Sequence, residues 1–269
     1  MLVVTTLCAL LGATPRRVAV TGAGGQTGQH AFRKLLAKTG EFAPLGIVRS
    51  EESRAALLES GVPEEAVVVA DVTDAAAIAA VMKGCDALII GTSAKPAPIG
   101  TDEETGRPIF AFPNGQPEQV DWLGQKAQID AAKACGPDTH VVICSSMGGT
   151  DPSNMLNALG RESLPDGSTK GGNILLWKRK AEKYLIDSGL PYTVVHPGGL
   201  LNEPGSKRML FEYRSSGART RQPHESNRLP QLSCSSCDGL PQPTAADESA
   251  NQSAARVPCP RRGDRDRRR

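Results

Sequence analysis

Three glycines at a regular spacing are the first feature of the sequence that could do chemistry. The segment that begins at Thr21 reads TGAGGQTG and lies between a short β-branched run and a stretch with helical periodicity. The first glycine allows a tight turn, the second lets the backbone approach a pyrophosphate, and the third lets the helix pack against the strand. The amino end of the helix then presents N–H groups to the phosphates. Unless this is only a glycine-rich turn without a ligand, the residues that bind a dinucleotide are Gly22, Gly25, Gln26, Thr27 and Gly28.

The residues after the second predicted strand indicate which dinucleotide binds. An acidic residue at this place would hydrogen-bond the ribose hydroxyls of NAD and repel the 2′-phosphate of NADP. The sequence instead reads Val48-Arg49-Ser50, and Arg54 follows nearby. The planar guanidinium of Arg49 offers several donors that suit a phosphate. We therefore expect NADP, with NAD as the second choice. The alternative is that Arg49 is a solvated surface residue.

Strands and helices alternate along the chain in a way that can position these groups. Short apolar runs predict six strands, at 17–21, 45–48, 66–70, 87–90, 140–144 and 192–196. Helical patterns lie between them, at 27–38, 51–60, 74–82, 120–134 and 173–187. A loop rich in Pro and Gly fills 91–118, and loops of that length are usually functional or mobile. The alternation predicts an α/β fold with a doubly wound parallel sheet, Rossmann-like, whose ligands bind at the carboxyl ends of the strands.

Composition divides the chain of 269 residues into unequal parts. From Arg214 to Arg269 there are 11 Arg, no Lys, 6 acidic residues and no aromatic residue, so this segment carries +5 and the rest −3. Such a segment cannot bury enough apolar surface to order itself. We predict a leader over 1–14, a dinucleotide-binding domain over 15–210, and a disordered tail rich in Arg, Ser and Pro over 211–269.

The overall composition also excludes several classes of protein. A net charge of +2 gives no sign of a specific nucleic-acid partner, and no stretch reaches the roughly 18 apolar residues that a membrane span needs. Seven Cys without regular spacing do not indicate a disulfide scaffold. We expect no metal site, because Cys234 and Cys237 lack a second ligand pair. The apolar run before Ala13 resembles part of a targeting signal but lacks a basic start, so the location stays open between cytoplasm and plastid.

Several motifs together resemble the atypical branch of the short-chain dehydrogenase/reductase superfamily, of NmrA-like type. These motifs are TGAGGQTG, VRS, ADVTD, GTSA, SSMGG, WKRKAEKYL and SGLPYTVVHPGGL. The run PNGQPEQVDWLGQKAQIDAAK is more specific, since it is similar to plant and algal NAD(P)-binding proteins. The resemblance covers about 17–207. The sequence then departs from the family, and we expect the carboxyl-terminal part of the family fold to be missing.

The resemblance implies roles at the matching positions. Asp71 and Val72 would flank the adenine. Ser145 or Ser146 would occupy the place of the catalytic serine, and Lys180 would match the lysine of the Tyr-x-x-x-Lys pair, which holds the nicotinamide ribose. The remaining residues implied to line the cofactor are Gly91, Thr92, Ser93, Pro197 and Gly198.

One position departs from that pattern. The tyrosine should precede Lys180 by four residues, one helical turn away, and Leu176 stands there. A leucine cannot donate or accept a proton, so the usual general acid is absent.

Three interpretations of function follow from these residues. The first is an NADP-dependent oxidoreductase or isomerase that acts on a small organic substrate, with Ser145 or Ser146 polarising a carbonyl. The second is a regulator without catalysis, which binds the dinucleotide and reports the redox state to a partner. The third is a truncated product that folds poorly, because a sheet that lacks its last strand exposes an edge. The resemblance also implies a homodimer.

Overall fold

The computed structural model describes residues 14–200. Within this range, six parallel strands form one sheet. The strands are β1 (Arg16–Thr21), β2 (Phe42–Val48), β3 (Val67–Val69), β4 (Ala87–Ile90), β7 (His140–Cys144) and β10 (Tyr192–Val195). Their order in the sheet is β3-β2-β1-β4-β7-β10. The sheet runs outwards from β1 in two directions, which is the doubly wound arrangement that the alternation of elements predicted.

Five helices cover the two faces of the sheet. They are α1 (Gln26–Leu36), α2 (Glu51–Glu59), α3 (Ala75–Met82), α4 (Gln125–Cys135) and α5 (Ile174–Asp187). Phe32 of α1 and Leu57 of α2 pack with Val18 and Val20 on one face. Ile78, Ile129 and Leu185, from α3, α4 and α5, pack on the other face against a buried cluster that contains Ala19, Leu88, Val141 and Ile143.

Local sequence explains how two of these helices are placed. Asp74 precedes α3, and its Oδ1 accepts hydrogen bonds from the backbone N–H groups of Ala76 and Ala77, both at 3.0 Å. In β2, a Cβ at Gly46 would lie 2.8 Å from the ring of Phe32. The absence of a side chain at Gly46 therefore lets α1 approach the sheet closely.

Two short hairpins were not predicted. Strands β5 (Ala97–Thr101) and β6 (Pro108–Ala111) pair antiparallel inside the segment expected to be a loop, and β8 (Arg161–Ser163) pairs with β9 (Thr169–Gly171) before α5. These strands are mostly exposed, so their sequences lack the apolar runs that mark the central sheet. A π-helical segment, Glu118–Gly124, leads directly into α4.

The predicted leader and tail lie almost wholly outside the described residues, as do Cys234 and Cys237. Within 14–200, no helix is long and apolar enough to cross a membrane. The same part of the chain contains no cluster of three or more His, Cys, Asp or Glu residues that could hold a metal ion.

Candidate functional site

The glycine loop packs tightly at the carboxyl edge of the sheet. Thr21 pairs with Ile90, so Gly22 and Gly91 leave β1 and β4 side by side. Gly22 has φ +68°, and a Cβ on it would lie 2.9 Å from the carbonyl oxygen of Gly91. A Cβ on Gly28 would overlap the carbonyl of Gly22. Because no side chain fits at these positions, β1, β4 and the start of α1 approach one another closely, as the strand–turn–helix geometry of a phosphate-binding loop requires.

The start of α1 suits an anion. Gly25 caps the helix without a side-chain hydrogen bond, and no acidic residue lies in the first turn. Gly25, Gln26 and Thr27 are exposed. The helix dipole and the backbone N–H groups of this turn therefore favour negative charge at the surface above the glycine loop.

A buried polar network lies beneath the loop and joins β1, β4 and α4. Gln128 accepts a hydrogen bond from the Thr21 hydroxyl at 2.7 Å and donates to the Thr92 hydroxyl at 3.3 Å. Gln125 donates to the Thr92 carbonyl at 3.2 Å, while its own Oε1 is buried and has no partner in the described part of the chain. A buried amide oxygen without a donor fits a site that receives a hydrogen bond from a bound ligand. The glycine cradle and this network both fit a dinucleotide.

Arg49 lies at the end of β2, where the sequence predicted contact with a 2′-phosphate. Its Nη1 donates a hydrogen bond of 2.7 Å to the carbonyl oxygen of Asn114, and the residue is exposed. Arg54 is directed elsewhere, since it pairs with Glu64 at 2.6 Å and with Glu51 at 3.6 Å. Of these two arginines, Arg49 is thus the one whose donors lie at the carboxyl edge of the sheet and are not taken up by Glu51 or Glu64.

The residues implied to flank the adenine follow β3. Asp71 is half-buried and accepts hydrogen bonds from the backbone and hydroxyl of Thr73, at 2.8 and 2.7 Å. Val72 is buried in the core cluster and packs near Gly124. The structure therefore places both residues at the carboxyl edge, with Asp71 closer to the surface than Val72. Ser93, after β4, is exposed and bonds to the Ala94 carbonyl.

The two candidate serines after β7 have different surroundings. Ser145 is buried, and its hydroxyl donates to Glu182 Oε1. The same carboxylate bonds to His196 Nε2 at 2.9 Å and to Arg179 at 2.5 Å. Ser146 is half-buried, and its hydroxyl bonds only weakly to the Met147 carbonyl at 3.3 Å. Ser146 is thus the serine whose hydroxyl can turn towards a ligand.

The loops after β7 and β10 are joined by backbone hydrogen bonds. Ser145 N–H donates to the Val195 carbonyl at 2.8 Å, and Met147 N–H donates to the Pro197 carbonyl at 3.1 Å. A Cβ on Gly198 would lie 3.4 Å from the sulfur of Met147. Pro197 and Gly198 are therefore brought beside the serines; their contact with the cofactor stays a prediction.

Lys180 is not brought together with Ser145 or Ser146 by any hydrogen bond in the described structure. Its ammonium lies over the ring of Trp122, 4.4 Å from the centroid, and 5.1 Å from that of Trp177. Lys180 also lines a shallow depression of about 410 Å³ with Gly149, Thr150, Leu176, Arg179 and Lys183. Its charge is thus stabilised by two indole rings on the outer side of α5.

Lys178 takes the inward direction on the same helix. Two residues along a helix are about 200° apart around its axis, so Lys178 and Lys180 point to different sides. Lys178 is buried, and its Nζ lies 2.9 Å from Asp121 Oδ1. The other carboxylate oxygen, Oδ2, accepts the N–H of Ala94 at 3.0 Å, which ties this pair to the loop after β4.

Burial raises the pKa of the nearby Cys144 thiol at the end of β7, and the Lys178 ammonium partly offsets that rise.

Neither lysine has a tyrosine four residues before it. Leu176 precedes Lys180 and is partly exposed, while the buried Ile174 precedes Lys178. Tyr184 donates to Asp130 Oδ1 at 2.6 Å and stacks edge-on against Trp122, so it has a packing role.

Sequence reasoning missed five residues of this site: Asp121, Gln125, Gln128, Lys178 and Glu182. The first three lie in the run EQVDWLGQKAQ, which the resemblance singled out without assigning roles. The other two carry charges, which usually face solvent. The spacing of four residues between Lys178 and Glu182, which places them on one helical face, was the available signal.

Comparisons with known proteins identify relatives of this chain. An uncharacterized chloroplastic protein of Arabidopsis thaliana is 45% identical over 209 residues, which are 77% of this chain and 60% of that protein. The sanguinarine reductase of Eschscholzia californica is 44% identical over 214 residues, covering 72% of this chain and 73% of that enzyme. An uncharacterized sugar epimerase of Bacillus subtilis is 30% identical over 190 residues, or 71% and 75% of the two chains.

The chain thus spans only 60% of the length of the Arabidopsis relative. A family described as NAD(P)H-binding matches residues 22–224, from the first glycine of the loop onwards. The match confirms the predicted dinucleotide cofactor, and the relatives confirm the resemblance to plant proteins. This chain belongs to the NAD(P)H-binding family.

Proposed function

We propose that the chain is an NADP(H)-dependent oxidoreductase that reduces a small organic substrate bound beside Ser146. The observation that carries the proposal is the buried Lys178, whose ammonium is held by Asp121 between the ends of β4 and β7. A buried ion pair costs desolvation energy, and its placement next to a cofactor cradle supports a role in orienting the cofactor. The 44% identity with sanguinarine reductase supports a reductase over an isomerase.

Each residue has a proposed part in the reaction. The glycine loop and the amino end of α1 bind the pyrophosphate, and Arg49 binds the 2′-phosphate that distinguishes NADP from NAD. Lys178 takes the place that the resemblance implied for Lys180 and holds the nicotinamide ribose. Bound NADPH supplies a hydride. The Ser146 hydroxyl donates a hydrogen bond to the substrate oxygen on which negative charge develops.

We assign the hydroxyl of Ser145 a different part. It already donates to the Glu182 carboxylate, which also holds His196 and Arg179. We propose that Ser145 and Glu182 position the loops after β7 and β10. Since no tyrosine precedes either lysine by one turn, water supplies the proton to the reduced product.

The test is a titration of the full chain with NADPH and NADH, followed by thermal melting. Ligand that binds only the folded state must raise the melting temperature. Consumption of NADPH is then followed with a panel of quinones and with sanguinarine, the compound named in the relative's description. Stabilisation together with NADPH consumption supports the reductase. A chain that neither nucleotide stabilises would contradict it.

A second candidate is the regulator without catalysis. The specific observation in its favour is that Leu176 and Ile174 stand where a proton-donating tyrosine is expected. For this candidate, NADPH raises the melting temperature but no acceptor in the panel is reduced. The predicted homodimer remains a prediction, which light scattering on the purified chain can test.

Cell location is also a proposal. We propose the plastid, because the Arabidopsis relative is described as chloroplastic. A fluorescent fusion to the full chain tests this, and fluorescence confined to the cytoplasm would contradict it.

A further inference from the structure

A bond between two distant segments crosses the cofactor edge. Arg49 follows β2 directly, and its Nη1 donates to the carbonyl oxygen of Asn114 at 2.7 Å. Asn114 belongs to residues 112–117, which join β6 to the π-helical segment. We call these six residues the strap. Gly115, next to Asn114, has φ +116°, a turn geometry that favours glycine.

The first residue of the strap, Phe112, packs into a small apolar cluster. Phe112 is 4% exposed and packs with Ala94, Val120, Ile174 and Leu175. A Cβ on Gly160 would lie 2.6 Å from the Phe112 ring, so this ring fills the space that the glycine leaves. Ala94 follows β4, and Ile174 and Leu175 begin α5. The strap thus starts on the β4 side of the site.

The sheet order shows what lies beneath. Strand β1 stands between β4 and β2, and its carboxyl end carries the glycine loop. A segment that packs beside β4 and bonds to the residue after β2 spans the position of β1 in the sheet order. The bond between Arg49 and Asn114 therefore joins residues on the two sides of β1.

We infer that the strap lies over the bound dinucleotide and that Arg49 holds it there. We call this arrangement the clasp. This inference rests on the proposed binding of NADP(H) at the glycine loop. A guanidinium has five N–H donors in a planar fork, and the Asn114 carbonyl uses one of them. The remaining donors are directed to the 2′-phosphate, so one side chain holds the cofactor and the strap together. NADH lacks this phosphate, so the remaining N–H donors of Arg49 have no phosphate to bind.

A substitution at position 49 can separate the positive charge of Arg49 from the planar geometry of its guanidinium. Lysine at position 49 keeps the positive charge but cannot hold a carbonyl and a phosphate in one fixed fork. Arg54 is the control, because it is also an arginine shortly after β2 but is partly buried and already pairs with Glu64 and Glu51. We therefore compare wild type, Arg49→Lys and Arg54→Met.

The experiment is hydrogen–deuterium exchange of the full chain alone, with saturating NADPH and with saturating NADH. Thermal melting is recorded on the same samples. In wild type and in Arg54→Met, we expect NADPH to slow amide exchange in the strap about tenfold more than NADH does, as one charge-assisted hydrogen bond allows. In Arg49→Lys, we expect NADPH to raise the melting temperature less than in wild type, and the strap to exchange as it does with NADH.

The outcomes distinguish the clasp from the proposed function. If NADPH raises the melting temperature of wild type but leaves exchange in the strap unchanged, the clasp is wrong and cofactor binding stands. Equal protection of the strap in wild type and Arg49→Lys would also overturn the clasp. If neither nucleotide changes the melting temperature or the exchange of the glycine loop, both the proposed function and the clasp fail.

Discussion

Asp121 and Lys178 form a buried ion pair, 2.9 Å from Oδ1 to Nζ, that joins the π-helical segment to α5. Asp121 is fully buried, and the side chain of Lys178 is 9% exposed. The second oxygen of Asp121 binds the backbone of Ala94 after β4. The pair therefore joins three segments at the carboxyl edge of the sheet. Neither charge can be removed without leaving the other one unpaired.

Lys178→Met should destabilise the fold by about 3–5 kcal/mol, since it leaves the Asp121 carboxylate buried without its counter-charge. Urea unfolding measures the change. Lys183→Met on the exposed side of the same helix is the control, and we expect it to change the unfolding free energy by less than about 0.5 kcal/mol. Equal stability of the two variants would contradict the structural importance of the pair.

Gly28→Ala should abolish the stabilisation by NADPH, because the new methyl group would collide with the Gly22 carbonyl and push α1 away from the loop. Gly40→Ala is the matched control, since no atom lies within 4 Å of a Cβ at that position. Thermal melting with and without NADPH reads out both variants. A normal shift in Gly28→Ala would show that the loop does not approach the phosphates.

The central sheet could be predicted from sequence because its strands are short, nearly continuous apolar runs. Strands β4 and β7 have the predicted bounds, 87–90 and 140–144. The hairpins β5–β6 and β8–β9 could not be predicted in this way. Their residues face solvent, so packing imposes no alternation on the sequence, and Pro and Gly in the first hairpin indicated a loop.

Three successive cations, Lys178, Arg179 and Lys180, show where sequence reasoning about the site reached its limit. All three lie on one helix, and Lys178 turns inward with Ile174 and Leu185. There it pairs with Asp121, a partner far away in sequence. Local periodicity cannot identify that partner, because a buried charge is placed by tertiary contacts. The glycine loop was easier to predict, since its requirements are local: a strand, a tight turn and a helix.

Ser145→Ala and Ser146→Ala should separate structure from catalysis. Ser145→Ala removes a donor from the buried Glu182 carboxylate and should cost about 1–3 kcal/mol in urea unfolding. Ser146→Ala removes only a weak bond at 3.3 Å and should change stability by less than about 0.5 kcal/mol. If the chain reduces a quinone, we expect Ser146→Ala to lower the rate of that reduction about 100-fold, as the loss of one hydrogen-bond donor to a developing charge does. The reverse order of stabilities would contradict the assignment.

Tyr184→Phe should lower stability at pH 7 but not in acid. Burial alone would raise the pKa of Asp130, but the hydrogen bonds from Lys126 and Tyr184 outweigh it and hold that pKa below its usual value. A carboxyl whose pKa is depressed by folding stabilises the fold above its unfolded pKa, and this contribution is lost as the pH falls through the folded pKa. We therefore expect Tyr184→Phe to cost about 1 kcal/mol at pH 7, since the contact is partly exposed. The difference from wild type should shrink in acid, as the pH falls through the lowered pKa of Asp130 and its carboxyl takes up a proton in both chains. Urea unfolding at both pH values measures it, and an equal difference at the two values would show that Asp130 is not the partner responsible.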